Sequence, residues 1–311
     1  MREIKILAIV AFFTLVTYYG VEPFAHSQMH KHVEGEHFEY SDLPAITKTG
    51  DAANGGSLVM GAAACIGCHS IESQGMPAPM DASTAAASYG VNPPDLSNIG
   101  ALYDEKFLAA LIKNPAHALN VEHKFDPASG KMHPMPQFYG AGGDIDQEVA
   151  DIVAYFKSIA PQEISPKVAF ENACGRCHAM RYAKFTQLGE TPTFKYEKDA
   201  LAHQIQVLEY QDHLKAYMGK LPPDLSIIIR ARSEHFLETF IENPQSQLPG
   251  TSMPRVGLNE EGYEKVKEYL TEIGDPSKPK REEVGPYVLI FFVVFAFLAF
   301  LWKKYQWRDL H

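Results

Sequence analysis

Cysteine and tryptophan are scarce in this chain of 311 residues, which holds four of the first and two of the second. All four cysteines fall in two short clusters, Cys65–Cys68 and Cys174–Cys177, so none is left over to staple the two halves together by a disulfide. Basic residues are also short: 28 Lys and Arg face 38 Asp and Glu. The resulting formal charge of −10 argues against a nucleic-acid partner and favours basic proteins as electrostatic partners. Long apolar runs are missing except at the two ends, and a mean hydropathy of −0.19 argues against a polytopic membrane protein. The length suffices for two compact domains.

The first apolar run, Ile6 to Val21, follows Arg2 and Lys5, a pattern shared by cleaved signal peptides and uncleaved anchors. Cleavage sites after it are poor. Ahead of Phe24-Ala25, Pro23 stands at the −3 place, and Thr17 to Gly20 is only a passable alternative, so an uncleaved anchor over residues 1–24 is expected. The second run, Gly285 to Trp302, is eighteen residues without a charge. At about 1.5 Å per residue it can just cross a ~30 Å hydrocarbon core. Trp302 and Trp307 suit an interfacial belt, so a transmembrane helix over 285–303 is expected, followed by a tail over 304–311 that is cytoplasmic when the rest of the chain lies outside. Basic residues flank this span equally, so its orientation has to come from the chemistry between the anchors.

Between the ends lies an internal repeat. One copy reads Cys65-Ile-Gly-Cys-His69, Pro93-Pro-Asp-Leu-Ser97, Phe107 to Asn114-Pro115, and Met135-Pro136. The other reads Cys174-Gly-Arg-Cys-His178, Pro222-Pro-Asp-Leu-Ser226, Phe236 to Asn243-Pro244, and Met253-Pro254. From Pro-Pro to Asn-Pro the two copies run ungapped at an offset of 129, while the cysteines are offset by 109 and the methionines by 118. Insertions at different places in a fixed frame behave like loop changes on one fold. The expected fold is mainly α: two tandem domains, 50–161 and 162–276, preceded by a His-rich linker over 25–49.

Matching stripes at Phe107, Leu108, Leu111, Ile112 and at Phe236, Leu237, Phe240, Ile241 predict one helix per copy, ending before Asn-Pro. A closing helix is predicted in each, from about Asp144 to Ile159 with Gln147 as capping-box partner, and from about Asn259 to Ile273. The insertion Lys198 to Lys220 reads as helix, Asp81–Tyr89 as loop, and Ala160–Lys167 as the linker between copies.

Two cysteines three apart can each add to a vinyl group of one haem, and the histidine that follows can ligate the iron, which is the c-type attachment signature. Zinc would need a second Cys or His pair close by, and a thioredoxin-like pair would need a βαβ context. Neither copy offers another cysteine, and the βαβ context is lacking. Two covalent haems are therefore expected, on Cys65, Cys68, His69 and on Cys174, Cys177, His178. A thioether is the expected sixth ligand in a high-potential cytochrome, and Met135 and Met253 occupy equivalent places in the repeat. Met132, Met76, Met80, His117, His123 and His133 compete for the first iron, and Met180, Met218, His203 and His213 for the second. A carbonyl of Pro93 or Pro94 can hold the other ring nitrogen of His69, and one of Pro222 or Pro223 that of His178. Near the N-terminus His26, Met29, His30, His32 and His37 crowd together, a cluster that could bind metal but reads better as a solvated linker or subunit contact.

The second copy and its tail resemble cytochrome c1 of the bc1-type quinol–cytochrome c oxidoreductases over residues 165–311. The likeness lies in Cys174-Gly-Arg-Cys-His-Ala-Met-Arg-Tyr182, Leu221 to Arg232, Met253-Pro254, and one C-terminal anchor ending Trp307-Arg-Asp-Leu-His311. With the first copy added, the whole resembles the two-haem c1-like subunits of some bacterial complexes. The resemblance implies assembly with cytochrome b and a Rieske iron–sulfur protein, and one-electron transfer outward to a cytochrome c or terminal oxidase. An iron with both axial places filled has no room for substrate, so a carrier without catalytic residues is expected. Thioether attachment occurs outside the cytoplasm, which puts both modules on the periplasmic side of a bacterial inner membrane. The two-haem subunit of a cbb3-type oxidase and a two-haem peroxidase are the rival readings.

Overall fold

The computed structural model describes residues 2–30, 38–125 and 130–308, apart from the side chains of His26, Met29 and His30. The His26–His37 cluster therefore lies outside the described residues, His32 and His37 wholly and the others in their side chains. The fold is mainly helical, as expected. Among the described residues the one sheet pairs Phe185–Thr186 with Gly189–Glu190.

Each copy closes by packing its first helix on its last. In the first copy these are Ala52–Met60 and Ile145–Ile159. The Asp51 carboxylate caps the first helix by accepting from the Ala53 and Asn54 amides. Gly55 lets the two backbones touch, because a Cβ there would collide with the Asp151 carbonyl. Buried Asp151 accepts from the Asp51 amide at 2.7 Å and from Asn54 Nδ2 at 2.6 Å, which ties the ends of the module together. In the second copy the pair is Pro166–Ala173 and Glu260–Gly274, with the Phe170 and Tyr269 rings 5.0 Å apart. The apolar-stripe helices run Glu105–Lys113 and Glu234–Glu242, capped by Asp104 and Ser233, and each stops at its Asn-Pro.

Four local expectations change. Asp81–Tyr89 is a helix over Ala82–Tyr89, because the Asp81 carboxylate accepts from the Ser83 and Thr84 amides, and Ala85 and Ala86 are buried. Gln147 does not complete a capping box: it donates to Thr49 O and to Asp151, while Glu148 accepts the Ala141 and Gly143 amides. The stretch between copies is shorter than Ala160–Lys167, since Ser165 already caps the next helix. Finally, the described residues of the His-rich linker 25–49 are not all loop or all exposed. The N-terminal helix continues through Glu22–His30, and Phe38, Tyr40 and Leu43 are buried in the core, where burial of three large side chains outweighs solvation.

The two copies share that core. The segment after Met253-Pro254 lies along the first copy. The Asp104 amide donates to Gly257 O at 3.0 Å, the Asn259 amide to Leu102 O at 2.9 Å, and the Arg255 amide to Leu119 O at 2.9 Å. Gly257 has φ +81° and lies on the Phe107 ring, so any side chain there would collide with it. The inserted helix Glu197–Met218 crosses to pack on Ala82–Tyr89.

Among the described residues two helices, Arg2–Ala25 and Lys278–Gln306, are long and apolar enough to cross a membrane, and their candidate spans are not buried in the protein. A π-turn at Thr17–Val21 interrupts the first. Glu3 Oε1 and Lys303 Nζ pair at 2.6 Å, which brings the start of the first helix to the end of the last.

Candidate functional site

The Pro-Pro-Asp-Leu-Ser stretch forms a clamp beneath each histidine, built twice with the same bonds. His69 Nδ1 lies 2.8 Å from Pro94 O and His178 Nδ1 lies 2.8 Å from Pro223 O. A carbonyl only accepts, so Nδ1 carries the proton in both rings and Nε2 keeps its lone pair. Asp95 accepts from the Glu72 amide at 3.0 Å, and Asp224 from the Arg181 amide at 3.0 Å. Ser97 Oγ accepts from the Ser73 amide, and Ser226 Oγ from the Tyr182 amide. The Leu96 amide reaches Ser70 O as the Leu225 amide reaches Ala179 O, both at 2.9 Å. Sequence reasoning assigned only the prolines. The Asp and Ser roles were there to be found in their repetition, since both can hold a neighbouring amide.

The loops that carry the two methionines are equivalent as well. The Phe138 amide donates to Ile112 O at 3.0 Å and the Val256 amide to Ile241 O at 3.5 Å, and these are matching positions of the two copies.

A cavity of about 500 Å³ brings together Cys65, Cys68, His69, Pro94 and Met135. Its walls are mostly apolar, with Leu96, Ile99, Phe107 and Leu108 among them. That size lies within the range of about 300–1,000 Å³ that suits small organic ligands. Of the competitors, Met132 is 70% exposed and His117 and His123 are exposed. His133 does line the cavity, with its Nδ1 3.2 Å from the Met135 amide.

The second set is packed more tightly. His178 is 8% exposed, Cys174 packs on the common core, and Cys177 packs in a small cluster with Tyr210, Leu214 and Met218. Met253 is half-buried against the common core; its neighbours Ser252 and Pro254 border the cavity, and Met253 itself does not. Met180 is fully buried, bridged through its backbone to Phe185, and His213 is exposed.

Burial pushes the Cys65 thiol up to about 11 and the Cys174 thiol up to about 12, and it raises Cys177 as well. Buried neutral thiols are the reverse of the stabilised thiolate of a redox pair. Among the described residues no three His, Cys, Asp or Glu side chains converge on a metal site, so neither cysteine pair has the further ligands zinc needs. Burial also lowers the pKa of His69 and of His178, opposed in each ring by the proline carbonyl; Arg176 lowers His69 further. A neutral imidazole with a free Nε2, two thiols on one turn and an apolar cavity fit a covalently attached haem.

Residues 52–160 match the cytochrome c family. That match implies covalently bound haem c and electron transfer for the domain over residues 52–160. The chain is 23% identical to cytochrome c1 of Allochromatium vinosum, over 46% of its own length and 82% of that protein. It is also 27% identical to the ammonia monooxygenase gamma subunit of Nitrosomonas europaea, over 31% of its own length and 58% of that protein. No solved structure matches.

Proposed function

We propose that this chain is a two-haem, membrane-anchored c-type cytochrome acting as the c1-like subunit of a quinol–cytochrome c oxidoreductase. It takes electrons from a Rieske iron–sulfur protein, beside cytochrome b, and passes them to a cytochrome c or an oxidase. The observation that carries the two-haem reading is the duplicated clamp, in which His69 and His178 are held by the same bonds from the same motif. Similarity to cytochrome c1 supports the assignment to that complex.

In this reading Cys65 and Cys68, and Cys174 and Cys177, hold the two groups through thioethers, while His69 and His178 offer Nε2 to the irons. Each iron, when bound, supplies a one-electron couple. Pro94 and Pro223 fix the imidazole tautomer and orientation. Met135 and Met253 would supply the thioethers that hold the irons together with these histidines, a role supported by the equivalence of their loops. The apolar walls keep water from the first site and so favour the less charged, reduced state. Both modules stand on the periplasmic face. The Glu3–Lys303 pair supports a common side for the two chain ends, and so a common side for both modules; the choice of the periplasmic side rests on the chemistry of thioether attachment.

The similarity to the ammonia monooxygenase subunit favours a second reading, an electron-carrying subunit of an oxygenase complex. Purification of the chain from its native membrane, with haem iron counted after acid–acetone extraction, tests both. Two retained haems and co-purifying cytochrome b and Rieske subunits are expected. One haem per chain overturns the two-haem reading, and an oxygenase in place of cytochrome b overturns the choice of complex.

A further inference from the structure

The −10 charge of the chain is absent from the first cavity. Among the described residues its lining holds two cations, Arg176 and Lys124, and no carboxylate. Both cations stand where the two copies meet, and they cross that boundary in opposite directions. Arg176 belongs to the second Cys-x-x-Cys-His motif, yet its Nη1 donates to Asn92 O at 3.2 Å, just ahead of the first copy's Pro93-Pro94. Its backbone carbonyl accepts from the Tyr210 hydroxyl, which in turn accepts from the Asn92 amide, so the arginine is held at both ends. Lys124 belongs to the first copy, and its Nζ donates to Tyr217 O at 3.3 Å and Met218 O at 2.9 Å in the second.

The partners of both cations are carbonyls, which carry no formal charge, and among the described residues the buried Arg176 Nε has no hydrogen-bond partner. A buried donor without a partner costs about 1–3 kcal/mol. A ligand that brings negative charge would relieve that cost.

We propose that Arg176 and Lys124 form the carboxylate-binding end of the first haem site, so that the second module sets the potential of the first module's haem. The inference rests on the haem reading of the first site, though not on the second haem. Haem carries two carboxylates, and these supply the missing acceptors. A fixed cation beside the site disfavours the ferric state, which carries one more positive charge, and so raises the potential. Arg176 is a positioning and tuning residue here, with no part in attachment or ligation.

Spectroelectrochemical titration of the full chain in detergent tests this. In Arg176→Gln one midpoint should fall, by on the order of tenfold in the redox equilibrium, or about 59 mV for one electron, with haem content unchanged. Arg176→Lys keeps the charge and should restore most of that loss. Lys124→Gln should lower the same midpoint. Haem-loaded Arg176→Gln with every midpoint unchanged overturns the proposal; if that variant does not accumulate, an unchanged Lys124→Gln overturns it instead. One haem per wild-type chain with an Arg176-dependent midpoint would overturn the two-haem reading and support this one.

Discussion

Asp95 and Asp224 lie one residue beyond the prolines that hold the imidazoles, and each carboxylate binds the backbone that follows its histidine. Asp95 accepts from Ser70 Oγ and from the Glu72 and Ser97 amides. Hydrogen bonds to a charged group are worth about 1.5–3 kcal/mol, and an amide left without its partner costs in the same range. Asp95→Ala should therefore lower the stability of the haem-loaded chain by about 2–3 kcal/mol in denaturant unfolding; an unchanged transition would show that Pro94 holds the histidine unaided. The methionines pose a sharper question at this scale. Met218 packs beside Cys177, whereas Met253 is half-buried in the common core. Met253→Leu should abolish one haem's thioether-to-iron absorption band at the red end and lower its potential, while Met218→Leu leaves the band in place. The opposite pattern would transfer the ligand to Met218 and break the equivalence with Met135.

At the scale of elements, the joint between the copies depends on Gly257, whose positive φ and contact with the Phe107 ring leave no space for a side chain. Gly257→Val should cost about 3 kcal/mol or more, from strain and overpacking together, read as a fall in Tm. A second joint links Glu260–Gly274 to the long apolar helix Lys278–Gln306, where both terminal guanidinium nitrogens of Arg281 bind Asp275, at 2.5 and 2.7 Å. Arg281 holds the Asp275 carboxyl down at about 2. A depressed pKa stabilises the fold above the unfolded value of about 3.9 and loses that effect as pH falls toward 2. The Tm deficit of Arg281→Gln should thus stay constant from pH 8 to 5 and shrink below pH 4. These elements also divide what the sequence reveals from what it hides. The stripe helices and the closing helices follow from periodicity and caps, the Glu197–Met218 insertion from its run of helix-forming residues, and the attachment motifs from spacing alone. The Ala82–Tyr89 helix was hidden because its small polar residues have no periodicity of their own; it gains its burial from a helix more than 100 residues later. Phe38, Tyr40 and Leu43 were hidden for the same reason, since the Tyr40 hydroxyl finds its acceptor at Leu258.

Considered as a whole molecule, the chain places its two motifs on either side of one cavity: Cys65, Cys68 and His69 line it from the first copy, Arg176 and Cys177 from the second. With two haems in place, an electron arriving at one site has a short protein path to the other, which makes a relay the natural use of the tandem. Direction is then set by which module meets the donor. In the proposed function the second module carries the c1-like motifs and continues through Asp275 and Arg281 into the long apolar helix Lys278–Gln306, so it is expected to be the entry. The first module is then the exit, toward an acceptor whose basic face the acidic surface would attract, with faster transfer at low salt. Rapid mixing of quinol with a complex lacking the first haem, made by replacing His69, separates the two orders. Reduction of the second haem should keep its normal rate while turnover with the acceptor falls. Stalled reduction of the second haem would reverse the order and make the first module the entry. The Arg176→Gln variant adds an independent reading of the same route: a lower potential at the exit should slow transfer between the haems without slowing arrival at the first one reduced.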